Sequence, residues 1–196
     1  SHFNIEADLA IKALGFDRPM RNSMDAVASR DGVLEFLAAA TILQTHLSRM
    51  AEELVLWSTA EFGFIELADA YATGSSLMPQ QKNPDVPELV RGKSGRAIGN
   101  LVALLTVLKG LPLSYNRDLQ EDKEPVFDSA RTLRDSLEVM AGALATLRVD
   151  VARMRQAASD PLLLATDLAE ALVRADVPFR EAHEAADAIL HLAPET

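Results

Sequence analysis

Between Val33 and Trp57 the apolar residues fall at Val33, Phe36, Ala40, Leu43, Leu47, Met50, Leu54 and Trp57, in steps that alternate three and four. That alternation is a heptad seam, and it commits the segment to helix. Ser29 and Asp31 stand ready to cap its start. The spacing predicts a helix that continues through Phe64 and Ala68 towards Tyr71, with Gly63 weakening it without ending it. A helix of this length cannot bury its stripe inside a small monomer. It requires partner helices of similar length.

Two such partners follow. The first is predicted from about Val86 to Leu108, with Ala97, Leu101, Leu104 and Leu108 on one face. Its start is ambiguous: Asn83 can cap with Pro84 at the first helical position, or Asp85 can cap with Glu88 closing a capping box. Lys109-Gly110-Leu111-Pro112 ends it. The second partner opens at Pro125 and carries Leu133, Leu137, Met140, Leu144, Leu147, Val151 and Met154, again in three-four steps. Before the seam, an amphipathic helix lies within 3–16 and stops at Gly15, and the polar stretch 18–29 reads as irregular. After it, Asp160-Pro161 and Pro178 each open a shorter helix, the latter through His183 to about Leu192.

No strand-period run, internal repeat or low-complexity tract stands out. With 48% hydrophobic and only 5% aromatic residues, the composition suits helix. The fold class expected is all-α: an elongated antiparallel bundle over 1–158, with a small partial C-terminal helical unit over 159–196.

Several function classes drop out on composition. A net charge of -10 with no basic stripe opposes nucleic-acid binding. The most apolar run, Leu101 to Leu108, is too short to span a bilayer. The absence of cysteine rules out disulfide and thiol chemistry. With no signal-peptide pattern at the start, the chain fits a cytoplasmic location.

Two polar loops interrupt the helices. Gly74-Ser75-Ser76-Leu77-Met78-Pro79-Gln80-Gln81-Lys82-Asn83-Pro84 sets two hydroxyls, several amides and one cation after a glycine. Gly74 permits a backbone that a side chain would forbid, and such a loop before a helix start can hold an anion. Composition alone serves equally for an ordinary capped connection. The second loop combines Tyr115, Asn116, Arg117, Gln120 and Lys123, a set suited to carboxylate or guanidinium partners, although its alternating charge also fits a solvated turn.

The first loop resembles the signature of the fumarase/aspartase superfamily. Tyr115-Asn116-Arg117-Asp118-Leu119-Gln120-Glu121-Asp122-Lys123-Glu124 resembles its argininosuccinate lyase branch, which includes the delta-crystallin-like proteins. So do Asn22-Ser23-Met24-Asp25-Ala26 and His46-Leu47-Ser48-Arg49-Met50-Ala51-Glu52. The resemblance covers nearly the whole chain. It implies a homotetramer that cleaves argininosuccinate to arginine and fumarate by β-elimination, with no cofactor and no metal.

Carried over by motif, Ser75 is the base that removes the proton. Its alkoxide needs loop N–H groups, a helix dipole and nearby positive charge. Gly74, Ser76, Gln81 and Lys82 support the loop. Asn83, Tyr115, Gln120 and Lys123 bind substrate. Glu88 is the carboxylate that orients a catalytic histidine of another subunit, and it is equally a first-turn acid favoured by the helix dipole.

Three departures accompany the resemblance. Gln81 stands where the family usually has a lysine, and Gly32 where it has a bulky apolar residue. The family chain is also more than twice as long, and the segment that carries its histidine acid has no counterpart here. None of His2, His46, His183 and His191 matches it, so this chain alone is expected to be inactive. A non-catalytic helical scaffold derived from a lyase, and a sister lyase acting on adenylosuccinate or fumarate, are the competing readings. The second loop speaks against the sister lyase.

Overall fold

The structure is a computed structural model, and it describes residues 5–74, 82–160 and 163–192. It divides into two compact units, Ser1–Glu53 with Asp85–Gly142, and Leu54–Pro84 with Ala143–Thr196.

The first unit holds α1 (Ala7–Leu14), α2 (Ser23–Ala28), most of α3 (Asp31–Ser58), α4 (Asp85–Leu108) and most of α5 (Lys123–Thr146). Helix α1 ends as its sequence requires: Gly15 takes the left-handed conformation at φ 73°, and its N–H caps the last turn. The stretch expected to be irregular contains α2, because the Asn22 side chain accepts hydrogen bonds from the Met24 and Asp25 N–H groups. The Ser29 hydroxyl accepts the Asp31 N–H at 3.4 Å at the start of α3.

Helices α3 and α4 run antiparallel. The Thr41 hydroxyl donates to the Ala97 carbonyl, and the Gln44 amide to the Val90 carbonyl. Helix α4 begins at Asp85, one residue before the expected start near Val86. Asn83 is engaged in a strand, and Asp85 is already helical. Helix α5 begins two residues before Pro125, because a 3-10 turn at Arg117–Asp122 feeds directly into it. Pro125 is accommodated in the first turn, where its missing N–H has no helical partner to lose.

The inner seam of α3 is Leu37, Ala40, Gln44, Leu47 and Ala51, offset by one residue from half of the predicted stripe. Ala40, Leu47 and, further along α3, Leu54 are buried as predicted, while Phe36 and Leu43 remain 40% and 39% exposed. On α5 the buried positions are Ser129, Thr132, Ser136, Met140 and Ala143, and the predicted Leu137 is 41% exposed. Both helices therefore carry apolar residues on two faces, and spacing alone does not choose between them. A fully buried leucine such as Leu37 or Leu104 contributes roughly 1.5–3 kcal/mol.

The second unit corrects the length of two helices. Helix α3 stops at Ser58 and does not reach Tyr71. The chain turns back at Gly63, which has φ 56°, and the Phe64 N–H donates to the Trp57 carbonyl. Phe64 then meets Trp57 and Phe62 edge-on. Next come β1 (Ile65–Glu66), a 3-10 turn at Asp69–Tyr71, β2 (Thr73–Gly74) and β3 (Lys82–Asn83). Likewise α5 stops at Thr146, and β4 (Arg148–Val149) pairs antiparallel with β1.

The Asp150 carboxylate then caps α6 (Val151–Ala158) by accepting the Arg153 N–H at 2.9 Å. The predicted third helix through Met154 is thus two helices joined by a strand. The four strands have two residues each, too short for period-two patterning to register. Helices α7 (Ala165–Arg174) and α8 (Phe179–Leu192) pack against each other through Ala169, Ala182 and Ala186. Pro178 precedes α8 as expected, whereas α7 starts after Asp160, at Ala165; Pro161 lies outside the described residues.

Candidate active site

In the second unit, β2 and β3 set Thr73 opposite Asn83 and Gly74 opposite Lys82. This short ladder fixes both ends of the glycine-serine loop side by side. Ser75, Ser76 and Gln81 lie outside the described residues. Gly74 has ordinary strand geometry outside the left-handed region, and open space lies where a Cβ would sit. Nothing in the described surroundings requires glycine there, contrary to expectation.

Lys82 does not present a free charge. Its ammonium donates to Glu66 Oε1 at 2.6 Å and contacts Asp69 Oδ1 at 2.7 Å. These hydrogen bonds and charges hold the Glu66 and Asp69 carboxyls below their ordinary values and raise the Lys82 amine above its own. Thr146 and Arg148 complete the lining of the adjoining cavity of about 300 Å³.

In the first unit, the segment before α5 carries the second group. The Gln120 amide donates to the Tyr115 hydroxyl at 2.7 Å, which joins two of the predicted substrate-binding residues. The Lys123 ammonium donates to Asp122 Oδ1 at 2.9 Å. Asp122 is largely buried and also accepts from Arg30 Nε at 2.5 Å. Burial pushes the Asp122 carboxyl up, but hydrogen bonds from Lys123 and Arg30 outweigh it and leave it below the usual range. Ser114, at φ 73°, donates its N–H to the Met24 carbonyl and anchors the loop on α2.

Glu88 occupies the first turn of α4 and is half-exposed, 3.9 Å from the Arg91 guanidinium. Arg91 in turn donates to Glu52 Oε2 at 2.5 Å, and that bond raises its already high pKa further. Glu88 thus has a cation as its neighbour.

Sequence reasoning missed Glu66, Asp69, Arg30 and Asp122 as partners of the loop cations. Asp122 lay inside a motif already singled out. Arg30 sat between two residues read only as caps. Glu66 and Asp69 carried no local signal, since their partner is sixteen and thirteen positions away. Among the described residues, no cluster of His, Asp and Glu could hold a metal ion.

Sequence comparison identifies the class of protein to which this helical scaffold belongs. The lyase family model matches residues 2–99, half of the chain, and the chain belongs to that family. Residues 162–196 match the argininosuccinate lyase C-terminal model. The argininosuccinate lyase of Symbiobacterium thermophilum is 60% identical over 182 residues, covering 93% of this chain and 40% of that protein. That of Frankia casuarinae is 62% identical over 172 residues, 88% of this chain and 37% of its own length. EDDS lyase in complex with formate superposes at a TM-score of 0.88 with 36% identity, covering 98% of this chain and 38% of that one. The long-helix architecture is that of the fumarase/aspartase superfamily. The chain spans about two fifths of the length of the curated relatives it matches.

Proposed function

We propose that these residues are the central helices and part of the C-terminal helical domain (159–196) of an argininosuccinate lyase. In this reading the protein splits argininosuccinate into arginine and fumarate in the cytoplasm, as a step of arginine biosynthesis. The observation that carries it is 60% identity to a protein of that name along nearly the whole chain. Among the described residues, no helix is long and apolar enough to cross a membrane.

The chemistry removes a proton beside a carboxylate and protonates the departing guanidino nitrogen. Ser75 is the proposed base. Asn83, beside Lys82 in β3, and the Tyr115, Gln120 and Lys123 group are the proposed substrate-binding residues. Tyr115 and Gln120 offer a preset hydrogen-bonded pair, and Lys123 offers charge to a carboxylate. Glu88 is the proposed carboxylate behind a histidine from another subunit, within a homotetramer. No step of this reaction calls on a cofactor or a metal.

One observation favours a second reading, a scaffold with lost activity. Gln81 is neutral, and the Lys82 ammonium is already shared by two carboxylates. A loop thus short of free charge stabilises a serine alkoxide less. Offering the full-length protein argininosuccinate, adenylosuccinate and fumarate separately discriminates the readings. The lyase reading expects only argininosuccinate to be consumed. Consumption of adenylosuccinate would overturn it in favour of a sister lyase, and no consumption would favour the scaffold.

A further inference from the structure

Asp122 is bound on both oxygens at once. Arg30 Nε takes Oδ2 at 2.5 Å, and Lys123 Nζ takes Oδ1 at 2.9 Å. Arg30 and Asp122 are mostly buried, at 20% and 12% side-chain exposure, whereas Lys123 is 52% exposed. Arg30 is itself locked in place, because its Nη1 donates to the Val27 and Ser29 carbonyls at 3.1 and 2.9 Å. Two cations share one carboxylate, so the trio carries one net positive charge, and its exposed member is Lys123.

A Lys–Asp pair alone would be neutral and would draw no anion. We propose that Arg30 is a positioning residue that takes up half of Asp122, so that Lys123 keeps its remaining N–H donors, and the trio its net positive charge, for a substrate carboxylate. This inference rests on the substrate-binding role proposed for Lys123, and it gives a function to Arg30, which lies between α2 and α3. If Arg30 loses its charge, Asp122 Oδ2 is left without a cationic partner. The Lys123 ammonium is then pulled over both oxygens. Its donors are spent, and the local charge is cancelled.

The test uses the full-length protein with Arg30→Gln, which removes the charge while keeping one N–H donor group. Arg30→Lys serves as the conservative variant, and Arg30→Gln/Asp122→Asn removes both opposing charges. Two quantities are read. One is KM and kcat for argininosuccinate. The other is the rate at which an amine-acylating reagent labels Lys123, followed by mass spectrometry without substrate.

Arg30→Gln is expected to raise KM about tenfold, the scale of one charge-assisted contact, with kcat changed by less than about threefold. Lys123 labelling slows in the same variant. Arg30→Lys stays near wild type in both readouts, and the double variant recovers most of the lost affinity. A purely structural role would not be repaired by removing a second side chain. Unchanged KM in Arg30→Gln, or a double variant no better than the single one, overturns the inference. If the wild-type protein does not cleave argininosuccinate, the functional reading falls, and the labelling arm still decides. Slowed labelling upholds the charge sharing, and unchanged labelling refutes it.

Discussion

Gln44 of α3 donates its amide N–H to the Ser136 hydroxyl of α5 across 3.3 Å, in the buried middle of the first unit. The same amide reaches the Val90 carbonyl of α4, so one side chain joins three helices. Its Oε1 accepts no hydrogen bond among the described residues. A polar group in a helical seam fixes the alignment of its neighbours at a cost in stability.

Gln44→Ala should therefore lose about 2–3 kcal/mol, since it leaves a cavity as well as a missing bond. Gln44→Met fills the volume and removes the unpaired oxygen, and it should stay within about 1 kcal/mol of wild type. Urea unfolding measures both. Equal losses in the two variants would contradict the role given to the side chain.

Gly63 is the residue on which the end of α3 depends. Its φ of 56° disfavours any side chain, and an added Cβ would lie 2.9 Å from the Arg153 guanidinium. That guanidinium holds the turn by donating to the Ala60 and Glu61 carbonyls. Gly63→Ala should cost about 1–2 kcal/mol in backbone strain alone. Placed in an Arg153→Met background, where the clash is gone, it should cost measurably less, as read by thermal unfolding of both backgrounds.

These two residues show what the sequence could and could not disclose. Three-four spacing placed the long helices, and glycine or proline signals marked Gly15 and Pro178, because those effects are local. The end at Ser58 was invisible, since apolar spacing runs on past Gly63 and the deciding Phe64 to Trp57 hydrogen bond exists only once the chain has turned back. Asp150, an N-cap residue inside a predicted helix, was a readable warning that α5 would stop. The phase of each seam escaped for a different reason: Phe36 and Leu37, like Ser136 and Leu137, are adjacent, and packing alone selects which one is buried. The family was legible in the loop motifs, whereas Arg30, Glu66 and Asp69 lie far from their partners in sequence.

The exposed stripe on α3 bears on assembly. Phe36 and Leu43 form a second seam beside the buried one, and the proposed tetramer would cover it. Sedimentation of the protein should show an oligomer, and Phe36→Glu with Leu43→Glu should shift it towards monomer with helicity retained. A wild-type monomer at micromolar concentration would contradict this.

The Lys82 cluster predicts a particular pH response. Glu66 and Asp69 are held below their ordinary values of 4.5 and 3.8, first through hydrogen bonds from Lys82. Their contribution is present above those values and is lost as pH falls through the lowered ones. The Lys82 amine is raised from 10.5, so its share is complete below that pH and fades only as pH rises through the raised value. Stability should thus be insensitive to this cluster between roughly pH 5 and 10. Below that window, wild type should lose stability more steeply than Glu66→Gln/Asp69→Asn. The cluster is solvent-exposed, so about 1 M salt should erase most of the difference between the two proteins.

The most direct measurement is the appearance of fumarate, followed by its ultraviolet absorbance, when argininosuccinate meets the full-length protein and its Ser75→Ala variant. The account predicts fumarate and arginine in equal amounts from the wild type, with the variant slower by a factor on the order of a hundred or more. Absence of fumarate from the wild type, or a variant as fast as the wild type, would contradict it.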